Sequence, residues 1–215
     1  MYGNTGHKRE GIHMKVLMLL SMLLYVVSGL ADEAWELAKD DKGIKVYTRT
    51  NNETHLKDFK ADIVVQSPIS VVSQQIQALE EHTKWLHERK LSKIIKKLDD
   101  RTTIVYSITN APWPVTDRDA VVSFTVSKEN TAEHKRFDVE NVEGYVAVDE
   151  GMVRVPYIKG YWELIKVTDN STKVVFMNAA SPGGSIPDWL ADSFVLDMPY
   201  NSLNNLQTML QDMTN

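Results

Sequence analysis

Trp189, Leu190, Phe194, Pro199, Leu203, Leu206 and Leu210 recur at three- and four-residue steps through residues 185–211. That spacing draws one apolar stripe along a helix, on the order of 40 Å long at about 1.5 Å per residue. Ser185 and Asp188 have the spacing of a capping box, and Pro187 suits the first turn, where its missing N–H costs little. Pro199 predicts a kink, because it removes one backbone hydrogen bond.

Upstream the period shortens to two. Residues 44–50, 59–65, 104–108 and 120–126 alternate, and further strands are expected at 136–143, 145–148, 152–155, 161–167 and 173–179. Ser67 and Pro68 open a helix with Ile69, Val72, Ile76 and Leu79 on one side, and residues 80–90, with Trp85 and Leu86, predict a second helical piece. Residues 32–41, with Trp35, Leu37 and Ala38, predict a short helix ended near Gly43. Consecutive strands joined by short polar turns favour an antiparallel sheet, and helices at both ends of it make the class α+β. The long C-terminal helix is the largest apolar object available to cover one sheet face.

The first residues follow neither period. Residues 16–27 are an unbroken run of apolar residues and Ser, preceded by Lys15 and followed by the small residues Ser28, Gly29 and Ala31. The run is short for a membrane span, which takes about 20 residues, and the succession has the form of a secretory signal cleaved near Ala31. Met14 is the more natural start, with residues 1–13 an upstream extension, and residues 32–215 suit a single domain. The expected compartment is the periplasm or the exterior.

Export sharpens the charge balance. Removing residues 1–31 takes Lys8, Arg9, Lys15 and Glu10 from 24 basic and 29 acidic residues, which leaves 21 against 28 and a net charge of −7. Such a surface repels nucleic acid. One basic run stands against it: Lys84, Arg89, Lys90, Lys93, Lys96 and Lys97, readable as a solvated face or as a patch for anionic headgroups. The chain has no cysteine, which excludes disulfides, a thiol nucleophile and thiolate metal sites.

Candidate chemistry is sparse. His82 and His87 are five residues apart, off a common helical face, and no metal site or cofactor motif emerges. There is no G-x-S-x-G elbow or P-loop, and Gly183-Gly184 reads as a turn. Asp117, Arg118 and Asp119 are the most enzyme-like cluster; the expectation there is a structural ion pair at a strand entrance. More prominent is the supply of large apolar side chains, including Tyr106, Phe124, Phe137, Trp162, Phe176, Trp189, Phe194 and Met198. One helix does not easily fill a strongly curved sheet, so an apolar cavity is expected.

Three segments carry a resemblance: Ala-Pro-Trp-Pro-Val-Thr-Asp-Arg-Asp at 111–119, Gly-Tyr-Trp-Glu-Leu at 160–164, and Pro-Gly-Gly-Ser-Ile-Pro-Asp-Trp-Leu at 182–190. Together they resemble the START domain, the lipid-transfer domain related to steroidogenic acute regulatory protein, in its secreted bacterial branch. The resemblance implies a helix-grip fold, a curved antiparallel sheet wrapped around the C-terminal helix and an internal apolar tunnel. It implies a non-enzymatic, monomeric protein that binds and transfers a lipid or other hydrophobic molecule, with transient membrane contact and no cofactor. By the same analogy the tunnel is lined by Ile104, Tyr106, Ile108, Val122, Phe124, Phe137, Trp162, Phe176, Trp189 and Phe194. One position departs from the pattern: animal relatives often carry a buried arginine where Phe124 stands, with an acidic partner on the preceding strand, and residues 102–111 contain no acid. A less polar tunnel is therefore expected, with little discrimination among headgroups. The alternatives are a cyclase- or hydrolase-like enzyme on the same architecture and a partner-binding module with a filled core.

Overall fold

The computed structural model describes residues 1–2, 34–51, 56–184 and 186–213, without the side chains of Asp188 and Trp189. The predicted signal, Ser185 and the Trp189 side chain thus lie outside the described residues. The chain divides into two compact units, Met1–Ala34 and Trp35–Asn215, and every element below belongs to the second.

Ten strands form one sheet: β1 (Glu36–Asp41), β2 (Ile44–Thr50), β3 (Lys57–Val65), β4 (Arg89–Lys97), β5 (Thr102–Thr109), β6 (Arg118–Val126), β7 (His134–Asn141), β8 (Val153–Arg154), β9 (Tyr157–Thr168) and β10 (Ser171–Ser181). Their order is β1-β2-β3-β10-β9-β7-β6-β5-β4, antiparallel throughout, with the two-residue β8 pairing parallel to β6. Helix α1 (Ile69–Gln77) and a 3-10 helix (Leu79–Lys84) connect β3 to β4, and α2 (Asp188–Asp212) closes the chain.

Three expectations for local structure are corrected. Residues 36–41 form strand β1 where a helix was expected: Lys42 and Gly43 both have positive φ (51° and 77°), the twist of a tight hairpin, and fold this segment back onto β2. The second helical piece stops at Lys84, because Arg89 already pairs with Thr109 as the first residue of β4. No strand forms at 145–148. Helix α2 is as long as its stripe predicts and runs unbroken through Pro199, with Pro187 at its N-cap; the predicted capping box, Ser185 and the Asp188 side chain, lies outside the described residues.

Directly opposed residues of antiparallel strands share a face. Val126, Phe137, Trp162, Phe176, Ala61 and Val46 are opposed in turn across six strands, forming one apolar row on the inner face. Against it pack α1, through Ile69, Val72 and Ile76, and the C-terminal half of α2, through Tyr200, Leu203, Leu206 and Leu210. Leu203 and Leu206 are fully buried, a burial worth on the order of 2 kcal/mol for each leucine.

The two halves of α2 are held differently. In the C-terminal half, Asn205 donates to the Trp85 carbonyl at 3.1 Å, and the Ser202 hydroxyl accepts from the His87 N–H at 3.1 Å. From Ala191 to Met198 no residue is fully buried. The ion pairs there are solvent-exposed on at least one side, Lys57–Asp192 at 3.4 Å and Lys39–Asp197 at 4.0 Å, and contribute little.

Candidate functional site

Between Ala191–Met198 of α2 and the inner sheet face lies a cavity of about 180 Å³. Its walls are mainly apolar: Val122 and Phe124 from β6, Trp162 from β9, Phe176 from β10, and Phe194 and Met198 from α2. Trp162 stacks on Phe176 at 3.9 Å between ring centroids, and Trp85 meets Trp162 edge-on at 5.4 Å. These aromatics hold one another in place.

Gly160 is part of the reason the space exists. It stands in the row Phe124, Val139, Gly160, Asn178, Phe59, between two large rings. An added Cβ there would lie 2.5 Å from the Met177 carbonyl oxygen and 2.8 Å from Asn178 Oδ1.

The structure places Val122, Phe124, Trp162, Phe176 and Phe194 in the cavity lining. Phe137 is fully buried in the same inner layer, stacked on Phe124 at 5.5 Å, but behind the cavity wall. Ile104, Tyr106 and Ile108 are corrected. The register opposes Val105 to Val122, Ser107 to Ala120 and Thr109 to Arg118, so the odd-numbered residues of β5 face inward. Ile104 and Val121 are instead buried on the outer face of the sheet, where the Tyr106 hydroxyl meets Met152 Sδ at 3.9 Å.

The acid–arginine cluster is also rearranged. Asp119, 1% exposed, pairs with Arg154 through two bonds of 3.0 and 2.8 Å, and Arg154 in turn donates to the Val146 and Ala147 carbonyls. Asp117 accepts from Lys90 at 2.9 Å and from the Ala111 N–H at 3.0 Å, and these bonds hold its carboxyl below the usual range. Arg118, 3% exposed, pairs with neither: it donates to the Thr116 carbonyl and faces the cavity. Burial lowers its pKa.

The mainly apolar interior nevertheless carries positive charge, from residues other than the one at 124. Arg89 also lines the cavity, its pKa lowered by burial to about 10, and it remains charged at neutral pH. His82 lines the same wall, its Nε2 2.9 Å from the Ile76 carbonyl. Burial, with Arg89 adding to it, outweighs that bond and lowers the His82 pKa to about 4. Sequence reasoning missed Arg89 inside a basic run whose Lys93, Lys96 and Lys97 are exposed. A signal did exist for Arg118: it has the parity of Ala120, Val122 and Phe124, already assigned to one face. Among the described residues no cluster of three or more His, Asp or Glu could hold a metal.

Comparison with known proteins adds the following. The family model of the START domain matches residues 23–214. The chain is 31% identical over 202 residues to an uncharacterized protein of Pseudomonas aeruginosa, covering 91% of this chain and 98% of that one. It is 23% identical over 191 residues to the phosphatidylcholine transfer protein of Rattus norvegicus, covering 83% and 81%. Its fold is similar to a STAR-related lipid transfer protein fragment from Xanthomonas axonopodis, with a TM-score of 0.74 and 34% identity, covering 82% of this chain and 98% of that one.

Proposed function

The chain belongs to the START-domain family, and from that premise we propose that it binds a hydrophobic, lipid-like molecule in the cavity under α2 and carries it between membranes. The observation that carries this reading is an aromatic-walled cavity facing the loosely held half of the C-terminal helix. Binding would be driven by removal of apolar ligand surface from water, at about 25 cal/mol per Å². The lipid-transfer relatives support the same reading.

A cavity of about 180 Å³ falls below the roughly 300–1,000 Å³ of a drug-sized ligand's pocket. Loading a long-chain lipid therefore requires the wall to move. The segment from Ala191 to Met198 is the part suited to it, since its ion pairs are solvent-exposed on at least one side and Pro199 supplies no N–H to the turn before it. The helix would swing about Pro199 while Leu203, Leu206 and Leu210 keep the other half seated.

Trp113, 91% exposed, stands on the loop between β5 and β6, directly beyond the cavity residues Thr109 and Arg118. An indole so placed fits the interface of a bilayer and would bring the mouth of the cavity to the membrane. Among the described residues no helix is long and apolar enough to cross one. Export follows from the signal pattern at residues 16–31, and N-terminal sequencing of periplasmic protein is expected to begin near Asp32.

We read the protein as a carrier rather than an enzyme, because the relatives it resembles over most of its length are lipid transfer proteins. Native mass spectrometry of the purified full chain, followed by solvent extraction, tests the reading. A bound lipid of defined mass is expected; a folded protein that neither retains nor takes up any lipid overturns it.

A further inference from the structure

The charged residues of the cavity have one sign. Lys57, Arg89 and Arg118 line it, with His82 and His87, and no aspartate or glutamate does so among the described residues. Lys57 has Asp192 as its partner. Neither Arg89 nor Arg118 has a carboxylate within ion-pair distance among the described residues, and the Nε of each is buried without a hydrogen-bond partner. This holds in a chain whose net charge is −5.

The two arginines are neighbours by register. Arg89 opposes Thr109, and Thr109 opposes Arg118, so the three side chains stand in one row on the inner face of β4, β5 and β6. Two strand spacings separate the arginine backbones by roughly 10 Å, a gap that a small oxyanion can bridge from two guanidinium forks, with the Thr109 hydroxyl between them. Asp117 offsets the charge of Arg118 from outside the cavity lining, but a guanidinium Nε shut away without a hydrogen-bond partner remains costly. Two of them facing one apolar cavity are stabilised by whatever brings a negative charge there.

Resting on the lipid-carrier reading above, we propose that Arg89, Thr109 and Arg118 form a recognition site for the anionic end of the ligand, a carboxylate or a phosphate monoester, whose hydrocarbon part runs toward Phe124, Trp162 and Phe176. The site selects against a zwitterionic headgroup, because its cation would meet Arg89, Arg118 and Lys57 with no carboxylate to receive it. Selectivity thus comes from β4–β6 rather than from position 124.

The test uses the full chain and an 18-carbon conjugated-polyene fatty acid followed by fluorescence, its methyl ester, and hexadecyl phosphate and lysophosphatidylcholine as competitors. Losing a charge-assisted hydrogen bond is worth about tenfold or more in affinity. The acid is expected to bind at least about tenfold tighter than the ester, and lysophosphatidylcholine to compete more weakly than hexadecyl phosphate. Arg89→Gln and Arg118→Gln should each weaken the acid about tenfold more than they weaken the ester. The relative potency of hexadecyl phosphate and the acid then assigns phosphate or carboxylate. Equal binding of acid and ester by the wild type overturns the proposal while leaving the carrier reading intact, and this comparison needs no variant to fold. Variants that weaken both probes alike also overturn it. Failure of acid, ester and competitors all to bind overturns the carrier reading with it.

Discussion

Acidification should destabilise the fold through one imidazole. His82 is 9% exposed, packed edge-on against Trp85 at 5.0 Å, bonded to the Ile76 carbonyl and faced by Arg89. Its pKa falls from 6.5 to about 4, chiefly through burial. The unfolded chain therefore takes up a proton on this residue near pH 6.5, whereas the folded chain does so only near pH 4. Between those values the unfolded state binds more protons, so stability declines as pH falls through that window. At about 1.36 kcal/mol per unit, the full difference is about 3 kcal/mol, of which about 2 to 3 kcal/mol is lost between pH 7 and pH 4.5. Urea denaturation at pH 7, 5.5 and 4.5, compared at constant m-value, measures it. His82→Gln keeps a donor for the Ile76 carbonyl but does not titrate, and its profile should lack that decline. The carboxylates of Asp99, Asp117 and Asp169, all held below their ordinary range, should add little slope in the same window. Parallel profiles for wild type and variant, or an imidazole signal for His82 titrating near pH 6.5 in the folded protein, would refute the reasoning.

Three further outcomes are expected. Gly160→Ala places a methyl against the backbone of β10, which can yield only by disturbing its pairing with β9; a loss of about 1–3 kcal/mol in urea denaturation is expected, and stability equal to wild type would contradict the close approach. Asp119→Asn leaves Arg154 without its counter-charge and should cost about 3 kcal/mol, with faster hydrogen exchange in the segment at Val146 and Ala147 that Arg154 holds. Trp113→Ala should leave the melting temperature unchanged, since the side chain is 91% exposed, yet reduce sedimentation with lipid vesicles; undiminished sedimentation would remove this loop from the membrane contact.

Much of the architecture was legible along the chain because periodicity reports which residues share a face. The stripe through Leu203, Leu206 and Leu210 predicted a long helix, and the alternation of Val122 with Phe124 predicted a strand with one apolar side. Periodicity does not say which face looks inward when both are covered. On β5 the more apolar set, Ile104, Tyr106 and Ile108, faces outward, where Tyr106 meets Met152, and pairing with β6 turns Val105, Ser107 and Thr109 toward the cavity. Strand β1 is decided by pairing with β2 through the Lys42–Gly43 turn, which outweighs the local helical pattern. The arginines show the same limit most sharply. In sequence Arg118 stands between two acids and Arg89 in a run of lysines, but Arg154 comes from 35 residues away to take Asp119, and Lys90 takes Asp117. Ion pairs form between groups that the fold brings within a few ångströms, not between neighbours in the chain. The sequence determined that this protein is a sheet gripping a helix; only tertiary packing decided that the space between them faces two unpaired positive charges.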